Sequence, residues 1–339
     1  MLIPICTYTW GMPSNLSLFE FWGFVFGLFF GSFLNVCIVR VPRGESVVRP
    51  RSHCMNCGKT VRWYDNLPLV SWVVLRGRCR DCGNGISWRY PAVELAVGLW
   101  FLWIGSTIGL LWDMSQPAIQ PLRDAVGLGT VTSFWQYVPA FPGLVGLAIL
   151  GWLLIGLIAI DWEWHRLPDA FTLGGIAVGM GLVCLQAIFL GPGDGQVVLN
   201  SAKQLRLSSP GSFQARGNVF LTGPEALIFG RLAAVAGAAL ILLSIRWIYK
   251  ALRGREGLGL GDVKMGAMIG AFLGIQGALL TLLVGSLLGV VVGLGYTWFT
   301  GKDASTYELP FGSFLGVSAL AVGFFSEVIF NWYSRLGAQ

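Results

Sequence analysis

The stretch AFPGLVGLAILGWLLIGLIAI (residues 140–160) contains no charged residue and is followed at once by Asp161. A helix needs roughly 20 apolar residues to cross about 30 Å of hydrocarbon, so this segment is long enough to span a membrane. Similar apolar segments cover residues 21–40, 92–112, 171–190, 228–248, 264–280, 281–299 and 310–331. The chain is 55% hydrophobic and only 12% charged, which excludes an ordinary water-soluble globule. We therefore predict an all-α polytopic membrane protein with about eight transmembrane helices.

The net charge is +6, from 23 basic and 17 acidic residues, and the basic residues are concentrated in two segments. One segment runs from Arg40 to Arg89 and the other from Arg246 to Lys264. Because basic loops stay in the cytoplasm, both are expected on the inner side of the membrane, with the amino terminus outside. No module that stacks bases on aromatic side chains accompanies these residues, so nucleic-acid binding is not expected.

Two polar segments interrupt the apolar helices. Residues 42–91 form a small module between the first two helices, and residues 191–227 form a loop rich in Gly, Ser and Pro that is expected outside. The loop is expected to be flexible, although residues 197–200 and 218–221 could pair as a short hairpin. The predicted divisions are therefore an amino-terminal transmembrane helix (1–41), a cytoplasmic module (42–91) and a transmembrane domain (92–339).

Four cysteines of the module are arranged as two C-x2-C pairs, CMNC (Cys54, Cys57) and CRDC (Cys79, Cys82). This spacing is typical of a zinc ribbon, in which each pair occupies a tight turn and four thiolates surround the metal. Four protein ligands leave zinc no open position, so its role is predicted to be structural. A pair of disulfides is the alternative, and the reducing cytosol disfavours it. The module is therefore predicted to be a small zinc-ribbon-like loop domain.

Two aspartates lie at the edges of apolar helices, where a charged group needs a partner or a function. Asp161 follows the segment quoted above, and Asp262 is the last residue of the glycine-rich stretch GLGLGD (residues 257–262). The predicted topology places both at the same depth on the inner side, where they can face each other as the two acids of an aspartic protease. Gly259 and Gly261 have no Cβ and would let a substrate backbone approach Asp262. Helix capping explains Asp262 equally well, and on these residues alone both interpretations stay open.

Seven stretches together resemble the bacterial type IV prepilin peptidases, bifunctional leader peptidases and N-methyltransferases of the GxGD class of membrane aspartic proteases. They occur in the order found in that family: GSFLNVCIVRVPRG (31–44), CMNC, NLPLVSWVVLRGRC (66–79) with CRDC, ISWRYPAVEL (86–95), IDWEWHRLPD (160–169), GLGLGDVKMGAMIGAFLG (257–274) and ELPFGSFLG (308–316). The resemblance covers residues 31 to about 320, and the ordered set is far more specific than any single motif.

The resemblance implies that Asp161 and Asp262 are the catalytic pair. It implies cleavage of the short basic leader of prepilins and pseudopilins after a glycine, at the cytoplasmic face of the bacterial inner membrane. It also implies methylation of the new amino terminus with S-adenosylmethionine, an activity that the family links to the four-cysteine loop. The expected partners are therefore these substrates and membrane lipid.

The sequence departs from the usual pattern of this family at two positions near the motifs. Glu163 stands two residues after Asp161, where Asp is frequent, and Ser313 stands where the family has proline in LPFGPFL. Neither departure is expected to touch the aspartate pair, although Glu163 is able to change the acidity around Asp161. No residue indicates the pocket of the methyl donor.

Two other functions are weighed against this one. Intramembrane proteases such as signal peptide peptidase and presenilin share the GxGD element, but they carry Tyr-Asp at the first site and a Pro-Ala-Leu motif, which this chain lacks. A proton-coupled transporter with a regulatory zinc ribbon is the second alternative, since intramembrane carboxylates also relay protons. Asparagine in place of either aspartate separates protease from transporter.

Overall fold

The computed structural model describes residues 18–114, 141–189, 197–199, 205–207, 224–254, 257–300 and 310–336. Over these residues the chain is a helical bundle with one small module, as predicted. The helices are α1 (Leu18–Arg40), α2 (Val70–Val74), α3 (Arg89–Met114), α4 (Phe141–Trp164), α5 (Asp169–Phe189), α6 (Pro224–Arg253), α7 (Leu260–Thr300) and α8 (Phe311–Leu336). Short 3₁₀ helices cover Val41–Arg43 and Trp63–Asn66.

Six of the described helices are long and apolar enough to cross a membrane, and the apolar part of α8, Phe311–Phe325, is shorter. The candidate span in α7 runs from Leu260 to Tyr296. As one continuous helix it would be about 55 Å long, well beyond the roughly 30 Å of a bilayer core. It divides at Gly274, whose φ of 74° and ψ of −178° are not helical. With α7 counted as two segments and α8 added, the bundle reaches the predicted number of about eight.

The interruption in α7 has a side-chain partner. Breaking a helix frees backbone carbonyls that must find donors away from water. Arg231 of α6 donates from Nη1 to the carbonyl oxygen of Phe272, at 2.7 Å. The positive φ of Gly274 also excludes most other residues there. A half-buried arginine and a glycine therefore stabilise the break together.

Glycines allow the helices to approach closely. On α1, a Cβ added at Gly27 would lie 2.8 Å from the Cα of Gly98, and one added at Gly31 would lie 2.7 Å from the Cα of Glu94. On α7, a Cβ at Gly270 would lie 2.7 Å from the carbonyl oxygen of Ala234. Backbone contact of this kind is typical of packing between helices in membranes. It places α1 against α3 and the first half of α7 against α6.

Helix α4 is the central helix of the bundle, because it packs against α1, α3, α5, α7 and α8. Its residues from Leu150 to Asp161 are mostly buried, in keeping with a helix that is apolar on all sides. The largest hydrophobic cluster surrounds it, with Leu154, Leu157 and Ile160 fully enclosed. Asp161 therefore lies at the end of the most enclosed part of the fold.

One prediction about the polar loop falls on residues 218–221, which lie outside the described residues. Val197–Leu199 pairs antiparallel with Leu205–Leu207, a nearer segment than the predicted partner at residues 218–221. A hairpin between adjacent segments closes a shorter loop, which costs less conformational entropy. Most of the predicted outward loop 191–227 lies outside the described residues, as do residues 1–17.

Candidate active site and four-cysteine cluster

Asp161 lies in the last turn of α4 and is only 6% exposed. Its Oδ2 accepts hydrogen bonds from the backbone N–H of Ser313 at 2.7 Å and from the Ser313 hydroxyl at 2.9 Å. A carboxylate near the end of a helix opposes the helix dipole. Here the first turn of α8 offsets the unfavourable dipole of α4, because the N–H groups at the start of a helix bind anions. Two donors on one oxygen also fix the orientation of the carboxyl group.

Asp262 lies in the first turn of α7 and is half-buried. Its Oδ2 accepts a hydrogen bond from the N–H of Gly259 at 3.1 Å. Because α7 begins at Leu260, Asp262 is the third helical residue and bonds back to the residue before the helix, which is half of a capping box. The capping interpretation is therefore correct for one oxygen. The other, Oδ1, is left for a different contact.

Gly312 of α8 brings the two carboxylates together. A Cβ added at this residue would lie 3.0 Å from Oδ2 of Asp161 and 3.1 Å from Oδ1 of Asp262. The two oxygens are therefore no farther apart than the sum of these distances. The end of α4 and the starts of α7 and α8 converge on one point, and any residue larger than glycine at 312 would push against both acids.

The two glycines of the GLGD motif have different surroundings. A Cβ on Gly259 would lie 3.2 Å from Oδ2 of Asp262, whereas a Cβ on Gly261 would lie 3.0 Å from the Cβ of Leu167. Gly259 is exposed and borders the carboxylate directly. Gly261 allows the start of α7 to pack against the segment that joins α4 to α5. The approach of a substrate backbone is thus geometrically open at Gly259, while Gly261 is occupied by packing.

The structure corrects one expectation about the departures from the family pattern. Ser313 does touch the aspartate pair, because both of its donors bind Asp161. A proline at this position has no N–H and no hydroxyl, so neither bond can form there. Glu163, by contrast, accepts a hydrogen bond from Arg89 at the start of α3. That ion pair connects the end of α4 to the end of the cysteine module.

The four predicted cysteines form a cluster. The Sγ atoms of Cys54, Cys57, Cys79 and Cys82 all lie within 4.8 Å of one another, and those of Cys54 and Cys82 are 3.8 Å apart. Four thiolates at about 2.3 Å from a tetrahedral zinc would be separated by about 3.8 Å. None of the four forms a disulfide in this structure, which disfavours that alternative. The donor set and its spacing fit zinc.

The two C-x2-C turns have the same backbone geometry. Gly58 and Gly83 each donate to the carbonyl of the first cysteine of their pair, at 2.9 Å, and each has a φ of 69°. The first cysteine in turn donates to the carbonyl two residues beyond the second, Lys59 or Asn84. A residue with a Cβ is strained at such a φ, so glycine is required after each pair. The repeated turn presents both pairs of thiols to one point.

Ion pairs hold the surface of the module. Arg80 donates from Nε and Nη2 to the two carboxylate oxygens of Asp65, at 2.8 and 2.6 Å. This hydrogen bonding lowers the pKa of Asp65 below its ordinary value. Lys59 and Asp81 form a second pair at 3.2 Å. Arg80 and Asp81 both lie between the cysteines of the second pair, so each ion pair joins that turn to another part of the module.

Gly312 and Ser313 are the site residues that sequence reasoning missed. Both lie in the ELPFGSFLG stretch, which was used for the resemblance but assigned no contact. The signal was the unusual serine, which replaces a residue without donors by one with two. Its proximity to Asp161, 152 positions earlier in the chain, is a tertiary property.

Two family models match the chain. One, described as the bacterial peptidase A24 N-terminal domain, matches residues 25–108, and the other, described as the type IV leader peptidase family, matches residues 216–294. The first covers most of α1, the cysteine module and most of α3. The second covers α6 and the part of α7 that carries Asp262.

Curated relatives match most of the chain. A protein of Myxococcus xanthus is 35% identical over 295 residues, covering 86% of this chain and 67% of its own. A protein of Dickeya chrysanthemi is 32% identical over 335 residues, covering 90% and 92%. A protein of Pseudomonas putida is 30% identical over 336 residues, covering 92% and 93%. Each is named prepilin leader peptidase/N-methyltransferase, and no solved structure matches the chain.

Proposed function

The chain belongs to the type IV leader peptidase family, and on that premise we propose that it cleaves prepilin leaders and methylates the exposed amino terminus. It is an enzyme with peptidase and N-methyltransferase activity, as the family relatives are named. Its apolar helices and its relatives fit a multi-pass protein of the inner membrane. The substrates are prepilins, and we extend them to pseudopilins on the resemblance.

The peptidase reaction is assigned to Asp161 and Asp262. The observation that carries this assignment is that both carboxylates border Gly312, although the two aspartates belong to separate sequence motifs. Two carboxyl groups this close share one proton, because both cannot be charged cheaply. Asp161, with two donors on Oδ2, is the natural charged partner, and Asp262 the natural carrier of the proton.

Each acid then has a defined task. The Asp161 carboxylate takes a proton from a water molecule, whose oxygen attacks the carbonyl carbon of the scissile peptide. Asp262 donates its proton to the carbonyl oxygen, which gives a gem-diol. As the carbon–nitrogen bond breaks, Asp161 gives the proton it took from water to the leaving nitrogen, and one hydroxyl of the gem-diol returns a proton to Asp262. The starts of α7 and α8 place N–H groups around the pair, which favours the single negative charge that the pair retains. Gly259 supports this by leaving the approach to Asp262 open.

The orientation in the membrane follows from charge. The proposed topology places the amino terminus outside, and the cysteine module and both aspartates on the cytoplasmic side. The module carries most of the residues between Arg40 and Arg89 that make the inner side basic. The leader of a prepilin would then meet the aspartates before its helix leaves the membrane.

Zinc binding by Cys54, Cys57, Cys79 and Cys82 is the second proposal about this site. The spacing of the four Sγ atoms supports it, and so does the small size of a module that cannot build much of a core without a metal. The metal has a structural role, since all four positions are taken by protein thiolates. The alternative of a proton-coupled transporter with a regulatory ribbon is not favoured by the family.

The methylation half is assigned to the module of residues 42–91, and the peptidase half to residues 92–339, with residues 1–41 as the first transmembrane helix. S-adenosylmethionine supplies the methyl group: the neutral amine forms a bond to the methyl carbon, the carbon–sulfur bond breaks with its electrons on sulfur, and nitrogen loses one proton. The module stands next to the membrane surface, where a newly exposed amino terminus emerges.

A single experiment tests both halves. The purified full-length protein in detergent is incubated with a prepilin and S-adenosylmethionine labelled in the methyl group, and the product is weighed by mass spectrometry. The proposal expects a product without its leader and heavier by one labelled methyl group. A product that is cleaved but never methylated would reject the methyltransferase half, and an uncleaved prepilin would reject the peptidase.

A further inference from the structure

A cavity of about 420 Å³ lies between the cysteine module and the adjoining ends of α1 and α3. Its wall includes Asn35 of α1, Tyr90 and Glu94 of α3, Trp72 of α2 and one cysteine of each pair, Cys54 and Cys79. Binding sites for small molecules commonly measure about 300 to 1,000 Å³ and combine aromatic walls with a few polar groups. The cavity therefore has the size and the composition of a ligand site, and neither aspartate of the peptidase lines it.

Asn35 contributes a polar atom that has no partner within the described part of the chain. The residue is only 3% exposed, and its Nδ2 donates to the carbonyl oxygen of Tyr90 at 3.0 Å. Its Oδ1 is buried and accepts no hydrogen bond from any residue that the structure describes. A buried acceptor without a donor costs free energy, so such an atom at a cavity wall indicates a ligand that donates to it.

Glu94 contributes a buried carboxyl group. The residue is 8% exposed, and its Oε2 accepts a hydrogen bond from the N–H of Leu69 at 2.8 Å. Among the residues that the structure describes, no cation lies within ion-pair distance of this carboxylate. A cation beside this carboxyl group would stabilise its charged form, because an unpaired charge is expensive to transfer from water. The cavity therefore favours a ligand that carries positive charge.

We propose that this cavity is the binding site for S-adenosylmethionine, with Glu94 and Asn35 as its buried polar contacts. The inference rests on the methyltransferase half of the proposed function. The donor carries a net positive charge from its sulfonium, together with an ammonium and hydroxyl groups that donate hydrogen bonds, and its adenine has flat apolar faces. The Glu94 carboxylate would attract the positive charge, the Asn35 amide oxygen would accept a hydrogen bond, and the Trp72 ring would contact the adenine. Phosphate and other anions lack them.

A second cavity of about 520 Å³ gives the methyl acceptor access. It shares Ser32, Val36 and Asn66 with the first cavity and extends along α1 past Phe29 and Phe33. Both phenylalanines are about half exposed, on a helix long enough to cross the membrane. An apolar pilin amino terminus in the membrane can thus reach the donor from the side.

The two zinc turns form part of the wall of the first cavity, through Cys54 and Cys79. The metal would therefore shape the donor site without taking part in the transfer. This arrangement accounts for a structural zinc in a module whose task is methylation.

Binding of S-adenosylhomocysteine to the full-length protein in detergent tests the site without any turnover. Isothermal titration calorimetry compares wild type with Glu94→Gln and Asn35→Leu. Loss of one charge-assisted hydrogen bond predicts affinity about 10- to 100-fold weaker for Glu94→Gln, and Asn35→Leu should weaken binding in the same direction. Glu45→Gln is the matched control, because Glu45 is exposed on the same module and lines neither cavity; its affinity should equal that of wild type.

Photo-cross-linking of wild type with radiolabelled S-adenosylmethionine locates the site independently of any variant. The label is expected on peptides that contain Trp72 or Tyr90. Label elsewhere, or equal affinity of wild type and Glu94→Gln, overturns the site and leaves the methyltransferase activity standing. Failure of the wild type to bind the donor and to methylate a pilin overturns the activity and the site together.

Discussion

Replacement of Gly312 by alanine is the sharpest test of the aspartate pair. The added methyl group would lie 3.0 Å from Oδ2 of Asp161 and 3.1 Å from Oδ1 of Asp262, whereas ordinary contacts begin at 3.4 Å. Asp161 is held by two hydrogen bonds from Ser313, so its displacement also disturbs those bonds. Each acid must yield by a few tenths of an ångström.

The expected loss follows from that displacement. A misplacement of about 1 Å in a reacting group can cost about 100-fold in rate, so a few tenths at each acid predicts a loss of about tenfold in kcat/KM for prepilin cleavage. Methylation of a pilin that has already been cleaved should be unchanged, since the methyl group at residue 312 does not touch the module.

Gly323→Ala is the matched control on the same helix. A Cβ there would lie 3.5 Å from Trp100, an ordinary contact, and alanine favours the helix more than glycine does. Initial cleavage rates on a purified prepilin, with matched amounts of inserted protein, give the comparison. If Gly312→Ala cleaves as fast as Gly323→Ala, the two acids do not work at the point where the structure brings them together.

The other predictions concern the acids, their neighbour and the metal. Asn in place of Asp161 or Asp262 should abolish cleavage without changing membrane insertion, and retained cleavage would end the protease assignment. Ser313→Ala removes one donor to Asp161 and should slow cleavage by about tenfold. Ser313→Thr keeps both donors and should cleave at the wild-type rate. Equal rates for the two variants would show that the hydroxyl does not contribute to cleavage. Elemental analysis of freshly purified protein should find one zinc per chain, and its absence would reject the ribbon. Chelation, or Ser in place of Cys54 and Cys79, should loosen the module and reduce methylation more than cleavage, as product mass would report.

Local features of the sequence were sufficient for several parts of the site. The cysteine cluster follows from spacing, because two residues between cysteines and a glycine after them produce one particular turn. The division of α7 follows from length, because residues 264–299 are too long for one membrane crossing and were predicted as two segments; the structure places the break at Gly274. Both depend on residues that are close together in the chain.

Contacts between distant residues could not be predicted in the same way. Ser313 was expected to stay clear of the aspartates, and its two hydrogen bonds to Asp161 depend on how α8 packs against α4. The cavity beside Glu94 likewise needs α1, α3 and the module in place at once. Neither is encoded in any short stretch.

The sequence by itself indicated a membrane protein with a four-cysteine module and two aspartates at the ends of apolar helices. Those properties arise from hydropathy and from the spacing of residues that are close together in the chain, so no knowledge of the packing is needed. Only the tertiary structure decided that Gly312 lies between the acids, that Ser313 holds one of them, and that Asn35 and Glu94 face a common cavity wall. Helix packing sets such distances, and packing depends on the whole bundle.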